Sequence, residues 1–280
     1  MGGISAKAEI ANPAGLAKDV QVGPFSLLGP EVSVGPGTVI ANNVTITGRT
    51  RIGANCRLFP GCVIGQLPAD VGWVTPDSFP ALPTRGLAPG RCTIEDGNTI
   101  REHVIIEAGI DPAGPGTHIG PGNLLMVACQ VGHDAYLVGK GIFVNFTQIE
   151  HHARIEPFVQ TGAFASVKPY ATMGAYTFTT GYAGIDRDAP PYVIVHGYPF
   201  RVRNINAEKL RRCGFDAATI DALKHAFRSL FDGSSDSPSP ESLSAVERRF
   251  DNDHVRRLVD SLRQIADTAD GRVLQPGVAQ

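Results

Sequence analysis

Residues 22–65 read VGPFSLLGPEVSVGPGTVIANNVTITGRTRIGANCRLFPGCVIG, and an aliphatic residue returns at every sixth position: Val22, Leu28, Val34, Ile40, Ile46, Ile52, Leu58 and Ile64. The frame reaches back through Leu16 and Ile10 to Ile4. Two residues before each member sits something small or β-branched, as at Val20, Ser26, Val32, Thr38, Val44, Thr50, Cys56 and Cys62. Side chains two apart on a strand share a face, so both positions point inward. A unit of six cannot bury a face alone and must stack on copies of itself. It reads as a short strand plus a corner, the corner eased by the small residue that often follows, such as Gly23, Gly35 or Gly53. Three units close a triangular coil, and coils stack at the interstrand spacing of ~4.8 Å.

The frame breaks after Gln66 and resumes with Ile94, Ile100 and Ile106. The loop GIDPAGPG (109–116) shifts it by one, and it then runs from Ile119 through Val131, Phe143 and Ile155 to Thr179. The expected fold is mainly β: a left-handed parallel β-helix of hexapeptide repeats with a C-terminal α-helical cap domain. About eight coils give a prism roughly 40 Å long. An α-helical reading needs a period near 3.6 and fails on 32 glycines and 21 prolines.

Residues 66–91 hold five prolines and the only tryptophan, and read as a loop ejected from a prism edge. After Thr179 the pattern ends in an extended exit, DAPPYVIVHGYP (188–199). Asp216 is then placed to cap a helix with Ile220, Leu223, Phe227 and Leu230 on one face. The segment 233–242 reads as a linker, and 244–267 as further helix. A solenoid end must be covered, so residues 1–204 are expected to form the prism and 205–280 its helical cap.

Lys and Arg number 25 against 27 Asp and Glu, a net charge of -2, which argues against nucleic acid as a partner. No apolar run approaches the ~20 residues of a membrane span, and the first residues carry no secretory signal. Five scattered cysteines without a C-x-x-C pair suit a reducing compartment, so a cytoplasmic location is expected.

The period also locates chemistry. His133 and His151 are 18 apart, as are Asp134 and His152, so each pair stacks on successive coils. The expected result is a polar patch of His133, Asp134, His151 and His152 on one edge, with Gln130 and Gln148 in a neighbouring column. Histidine titrates near neutrality and suits general-base work. A zinc site of the kind that γ-class carbonic anhydrases build on this fold is the competing reading. However, His103, His118 and His133 are 15 apart, out of stacking register, so no metal is expected. A non-catalytic scaffold is a third reading, in which replacing His133 changes only stability.

Three segments, IREHVIIEAG (100–109), GNLLMVACQVGHD (122–134) and DAPPYVIVHGYPFRVRNINAEKLRRCGF (188–215), resemble the acyl-carrier-protein–UDP-N-acetylglucosamine O-acyltransferases of lipid A biosynthesis. The resemblance covers nearly the whole chain. It implies a homotrimer with active sites between neighbouring prisms, working without a cofactor. The partners it implies are an acyl carrier protein bearing a 3-hydroxyacyl chain and a UDP-sugar acceptor. It further implies that His133 is the base, that Asp134 orients it, and that the backbone N–H of His151 holds the oxyanion. Asp70, His152, Asn206, Glu208 and Arg212 would bind the nucleotide sugar, and Gly181 would fall at the acyl-chain ruler. The chain departs from the family pattern at Gln130, Gly72 and Lys168, where the family carries His, Lys and His. These departures keep open a paralogue acting on a 3-amino nucleotide sugar.

Overall fold

The computed structural model describes residues 3–69, 90–231, 238–268 and 270–275. The frame residues from Val22 to Ile64, Ile94 to Ile106 and Ile119 to Thr179 are all buried, none more than 3 % exposed. Ile4, at the open end, is 49 % exposed because no coil lies below it. The small positions Val20, Val32, Cys56, Ala135, Ala153 and Ala171 complete the narrow interior.

Strands of two to four residues pair in parallel with the strand one coil on: Gln21 with Val39, Gln130 with Gln148, Arg154 with Thr172. Each pair is 18 residues apart, the register that the hexads require. The described strands form sheets of nine, seven and six strands, the three walls of a left-handed β-helix, and a further sheet of three at its C-terminal end. Every coil therefore repeats one outline, and a side chain at one corner lies above its counterpart in the coil before.

Two interruptions depart from the register. Arg49 pairs with Arg91, so the coil holding residues 66–91 is widened to 42 residues; Asp70 lies outside the described residues. Ile94 pairs with Ile119, 25 residues on rather than 18. The segment around GIDPAGPG is thus a loop that adds seven residues between the strands Ile105–Glu107 and Thr117–Ile119, which the sequence registers only as a shift of one.

The corners work differently from the expectation. Backbone in the left-handed region falls three residues after the frame residue, and there the chain carries Asn43, Asn55, Asp134, Lys140, Phe146, His152, Phe164, Tyr170 and Tyr176. Non-glycine residues seldom adopt this conformation, yet the tight corner imposes it in coil after coil. Gly35 is needed for a different reason: a Cβ there would stand 2.7 Å from the Gly53 carbonyl carbon.

Beyond the last coils, Val193–His196 pairs in parallel with Phe178–Thr179, and Arg201–Ile205 returns antiparallel beside it. Four helices follow: α1 (Ala207–Arg212), α2 (Ala217–Leu230), α3 (Pro240–Arg249) and α4 (Asp253–Ala266). Asp216 caps α2 by accepting Thr219 N–H at 2.7 Å. The buried face of α2 is Thr219, Ile220, Leu223, Ala226 and Leu230, with Phe227 only half-buried. The expected single helix over 244–267 is broken at Phe250–Asn252, where Asn252 Oδ1 accepts from His254 and Val255 and starts α4 afresh. Residues 240–242, expected in the linker, open α3 behind its Ser239 cap. Tyr192 is fully buried at the junction, and its hydroxyl meets His254 Nδ1 at 3.1 Å.

Candidate active site

His133 follows the strand Gln130–Val131 and turns the corner with Asp134. Its ring lies face to face with that of His151, centroids 4.9 Å apart and planes 1° from parallel. This is the one-coil stacking that the 18-residue step requires. His152 meets His133 edge-on at 5.2 Å and itself stacks on Tyr170 at 4.7 Å. Asp134 Oδ2 stands 2.9 Å from His133 Nδ1. The same oxygen accepts Ile110 N–H at 3.1 Å, and Asp134 N–H donates to Thr117 Oγ1 at 2.9 Å. The widened coil around 109–116 thus folds back onto the carboxylate and fixes it.

The electrostatics follow from this packing. Burial works to raise the Asp134 carboxyl, but the His133 hydrogen bond, the Ile110 N–H and the neighbouring imidazoles outweigh it and hold it below the usual carboxylate range. Burial lowers His152, the nearby His133 and His151 lower it further, and the Asp134 charge opposes them. An imidazole that donates Nδ1–H to a carboxylate presents Nε2 as an acceptor, the tautomer a general base requires.

His133 itself is only 5 % exposed. The ring is enclosed by its stacked neighbours. A cleft of about 360 Å³ in this wall is lined by Glu107, Gln130, Gln148, Glu150, His133 and His151. Gln148 Nε2 donates to Gln130 Oε1 at 2.9 Å, the expected glutamine column. At Gly132 a Cβ would stand 2.7 Å from the backbone N of His151, so the missing side chain leaves room beside that N–H. A larger cavity of about 600 Å³ lies between the prism and α4. Its Arg154 and Arg257 are both paired with Glu156, and it contains no histidine.

The other sequence candidates stand elsewhere in the chain. Asn206 caps α1, with Oδ1 accepting Lys209 N–H at 3.3 Å and Nδ2 donating to the Tyr176 carbonyl at 2.9 Å. Glu208 pairs with both Arg211 and Arg212, and Arg212 remains 75 % exposed. These residues sit at the Tyr176 corner, whereas His152 and Tyr170 share another corner one prism wall away. Gly181 is exposed on the third corner, beside Tyr182. Within one chain, therefore, the structure gathers His133, Asp134, His151 and His152 but not Asn206, Glu208, Arg212 or Gly181.

Sequence reasoning missed Glu107, Thr117 and Tyr170. Tyr170 was accessible to the 18-residue step from His152. Glu107 was hidden because the 109–116 loop breaks that step, whereas Thr117 lies beyond the loop, 17 residues before Asp134.

The three imidazoles bring nitrogens within 4.8 Å of one another, so we tested them as a metal centre. A metal must lie in the plane of each imidazole that ligates it. Two parallel rings stacked face to face share no such point, so His133 and His151 as arranged do not hold one zinc ion together.

Stacked hexads that close a β-helix, with His133 at a side-wall cleft, place the chain among the hexapeptide-repeat proteins. Residues 14–48 match the family model described as bacterial transferase hexapeptide, and residues 188–271 match that of UDP N-acetylglucosamine O-acyltransferase, domain 2. The chain is 38 % identical over 228 residues to an acyl-[acyl-carrier-protein]–UDP-N-acetylglucosamine O-acyltransferase of Stutzerimonas stutzeri, covering 81 % of this chain and 84 % of that one. It is 34 % identical over 211 residues to the Synechocystis enzyme of the same name, with 75 % and 71 % covered. The crystal structure of the UDP-N-acetylglucosamine acyltransferase from Bacteroides fragilis superposes with a TM-score of 0.82 at 28 % identity, over 96 % of this chain and 99 % of that one. That of Moraxella catarrhalis gives 0.80 at 27 %, over 93 % and 96 %. The chain belongs to the acyl-carrier-protein–UDP-N-acetylglucosamine O-acyltransferase family.

Proposed function

We propose that this protein transfers a 3-hydroxyacyl group from acyl carrier protein to the 3-hydroxyl of UDP-N-acetylglucosamine, the first step of lipid A biosynthesis. The observation that carries the reading is His133, buried at the cleft and bonded through Nδ1 to Asp134, within a chain of this family. A sugar hydroxyl is a weak nucleophile until its proton is removed. His133 Nε2 takes that proton as the oxygen attacks the thioester carbonyl. Asp134 holds the ring and stabilises the imidazolium. The His151 backbone N–H, beside Gly132, faces the oxyanion of the tetrahedral intermediate. Collapse breaks the C–S bond, and the carrier's thiol leaves with the proton returned by His133.

The rest of the site comes from a neighbouring chain in a trimer. Support lies in the corner arrangement above, which puts Arg212, suited to phosphate by its planar guanidinium, one wall away from His133. Apolar surface also remains open on a single chain. Phe146, Phe164 and Tyr182 form an aromatic ladder with ring spacings of 4.9 and 5.0 Å, exposed by 49, 47 and 75 %. A ladder of this kind needs a cover. Gly181 sits at its end, where an acyl chain lying along the ladder would meet no side chain. Among the described residues no helix is long and apolar enough to cross a membrane, which suits soluble substrates and a cytoplasmic site of action.

The test is direct. Incubated with UDP-N-acetylglucosamine and carriers of different chain length, the protein should yield one acylated nucleotide sugar, identified by mass. Acylation of a 3-amino acceptor alone would move the assignment to the paralogous N-acyltransferase.

Carrier docking gives a second expectation. Arg201 and Arg203 are exposed on the returning strand, and Lys209, Arg211 and Arg212 follow on α1. Acyl carrier proteins are acidic, and complementary charge chiefly speeds encounter. Reversing both Arg201 and Arg203 to Glu should raise KM for the carrier several-fold, most at low salt, and leave kcat near its native value. An unchanged KM at low salt would remove this surface from the docking site.

A further inference from the structure

We infer that Glu107 is a positioning residue for His133; this rests on the reading of His133 as the base. Glu107 is 4 % exposed and lies in the same cleft. Its Oε2 accepts the His133 backbone N–H at 3.0 Å. Its Oε1 accepts Ala69 N–H at 2.9 Å and lies 3.4 Å from Gln130 Nε2. One carboxylate thus fixes both the corner that carries His133 and the chain just before residue 70.

The backbone explains how a glutamate comes to sit there. Ile106 pairs with Ile64, but Glu107 pairs with Gln66, so the register slips and Gly65 is left over with φ +76°. Only glycine fits that position, because a Cβ would stand 2.2 Å from both Thr47 O and Thr50 Oγ1. One coil on, Ile106 pairs with Val131, so Glu107 falls in line with Gly132. Its side chain crosses the coil boundary to the next residue's N–H. A buried carboxylate needs such donors, and a buried N–H needs such an acceptor.

Pinning the N–H sets where the imidazole stands, and the negative charge favours the imidazolium formed during transfer. The charged and titratable groups facing His133 are Asp134 on its own corner, Glu107 on the coil before, and Glu150, His151 and His152 on the coil after. Glu107→Gln removes one charge and keeps the size. It should lower kcat about tenfold, the scale of one buried hydrogen bond to a charged group, with KM for the nucleotide sugar within twofold of native. The acid limb of the rate profile should move to lower pH, because less negative charge faces the ring.

An NMR titration of the His133 ring protons in the substrate-free protein reads the same change, and its midpoint should fall in Glu107→Gln. This readout needs no acyl transfer. A failed transfer assay with a shifted titration would therefore overturn the reaction while leaving the positioning role intact. A folded Glu107→Gln protein with an unmoved midpoint and kcat within twofold of native would overturn the role. Should Glu107→Gln not fold, Glu107→Asp keeps the charge but shortens the reach. It should titrate near the native midpoint with reduced kcat, and native kcat in that variant would equally overturn the role.

Discussion

Replacing His133 by alanine should lower kcat by about 10²–10⁴-fold, the usual contribution of a positioned general base. The protein should stay folded. The imidazole is buried among stacked rings, so truncation leaves a gap and a stability loss of about 1–2 kcal/mol is expected. The hydrogen bond from its backbone N–H to Glu107 does not involve the ring and survives. A lower melting temperature with intact cooperative unfolding therefore accompanies the loss of turnover without causing it. The comparison belongs at neutral pH or above. Asp134 is held below its ordinary value in the fold, so its stabilising contribution is present above the usual carboxylate range and is lost as pH falls. His152 is also lowered, so the unfolded chain binds its proton first and acid again favours unfolding. Near-native turnover in His133→Ala, or loss that tracks unfolding alone, would refute the assignment and make His152 the next residue to test.

How much of this could be read from the chain alone depends on how regular each stretch is. Ile64 and Val131 obey a strict period, and a period of six with small partners admits one outcome, a stacked prism. The same arithmetic placed His133 one coil from His151, and the rings stack accordingly. It failed where register and residue number part company. Glu107 lies before a loop that adds residues to the coil, so no count of 18 links it to His133. The burial of His133 was also not legible: corner residues point away from the prism, and only the packing of His151 and His152 encloses the ring. The family resemblance supplied Arg212 and Asn206, which no periodicity connects to the histidines. In one chain Asn206 is committed to capping α1 and Arg212 to Glu208. In the proposed trimer, a second chain is needed to bring them to the nucleotide.

That requirement gives the measurement with the sharpest outcome. His133→Ala and Arg212→Ala should each be nearly inactive as pure trimers, the first for want of a base and the second for want of a phosphate partner. If each site takes His133 from one chain and Arg212 from its neighbour, mixed trimers contain sites with both residues native. Random assembly from equal amounts places both in about a quarter of the sites, by the rotational symmetry of a closed ring. Acyl transfer to UDP-N-acetylglucosamine should therefore return to about a quarter of the native rate in co-refolded mixtures whose random assembly is verified by mass. Activity in those mixtures no greater than the sum of the two parents would contradict a His133-based acyl-transfer site shared between chains.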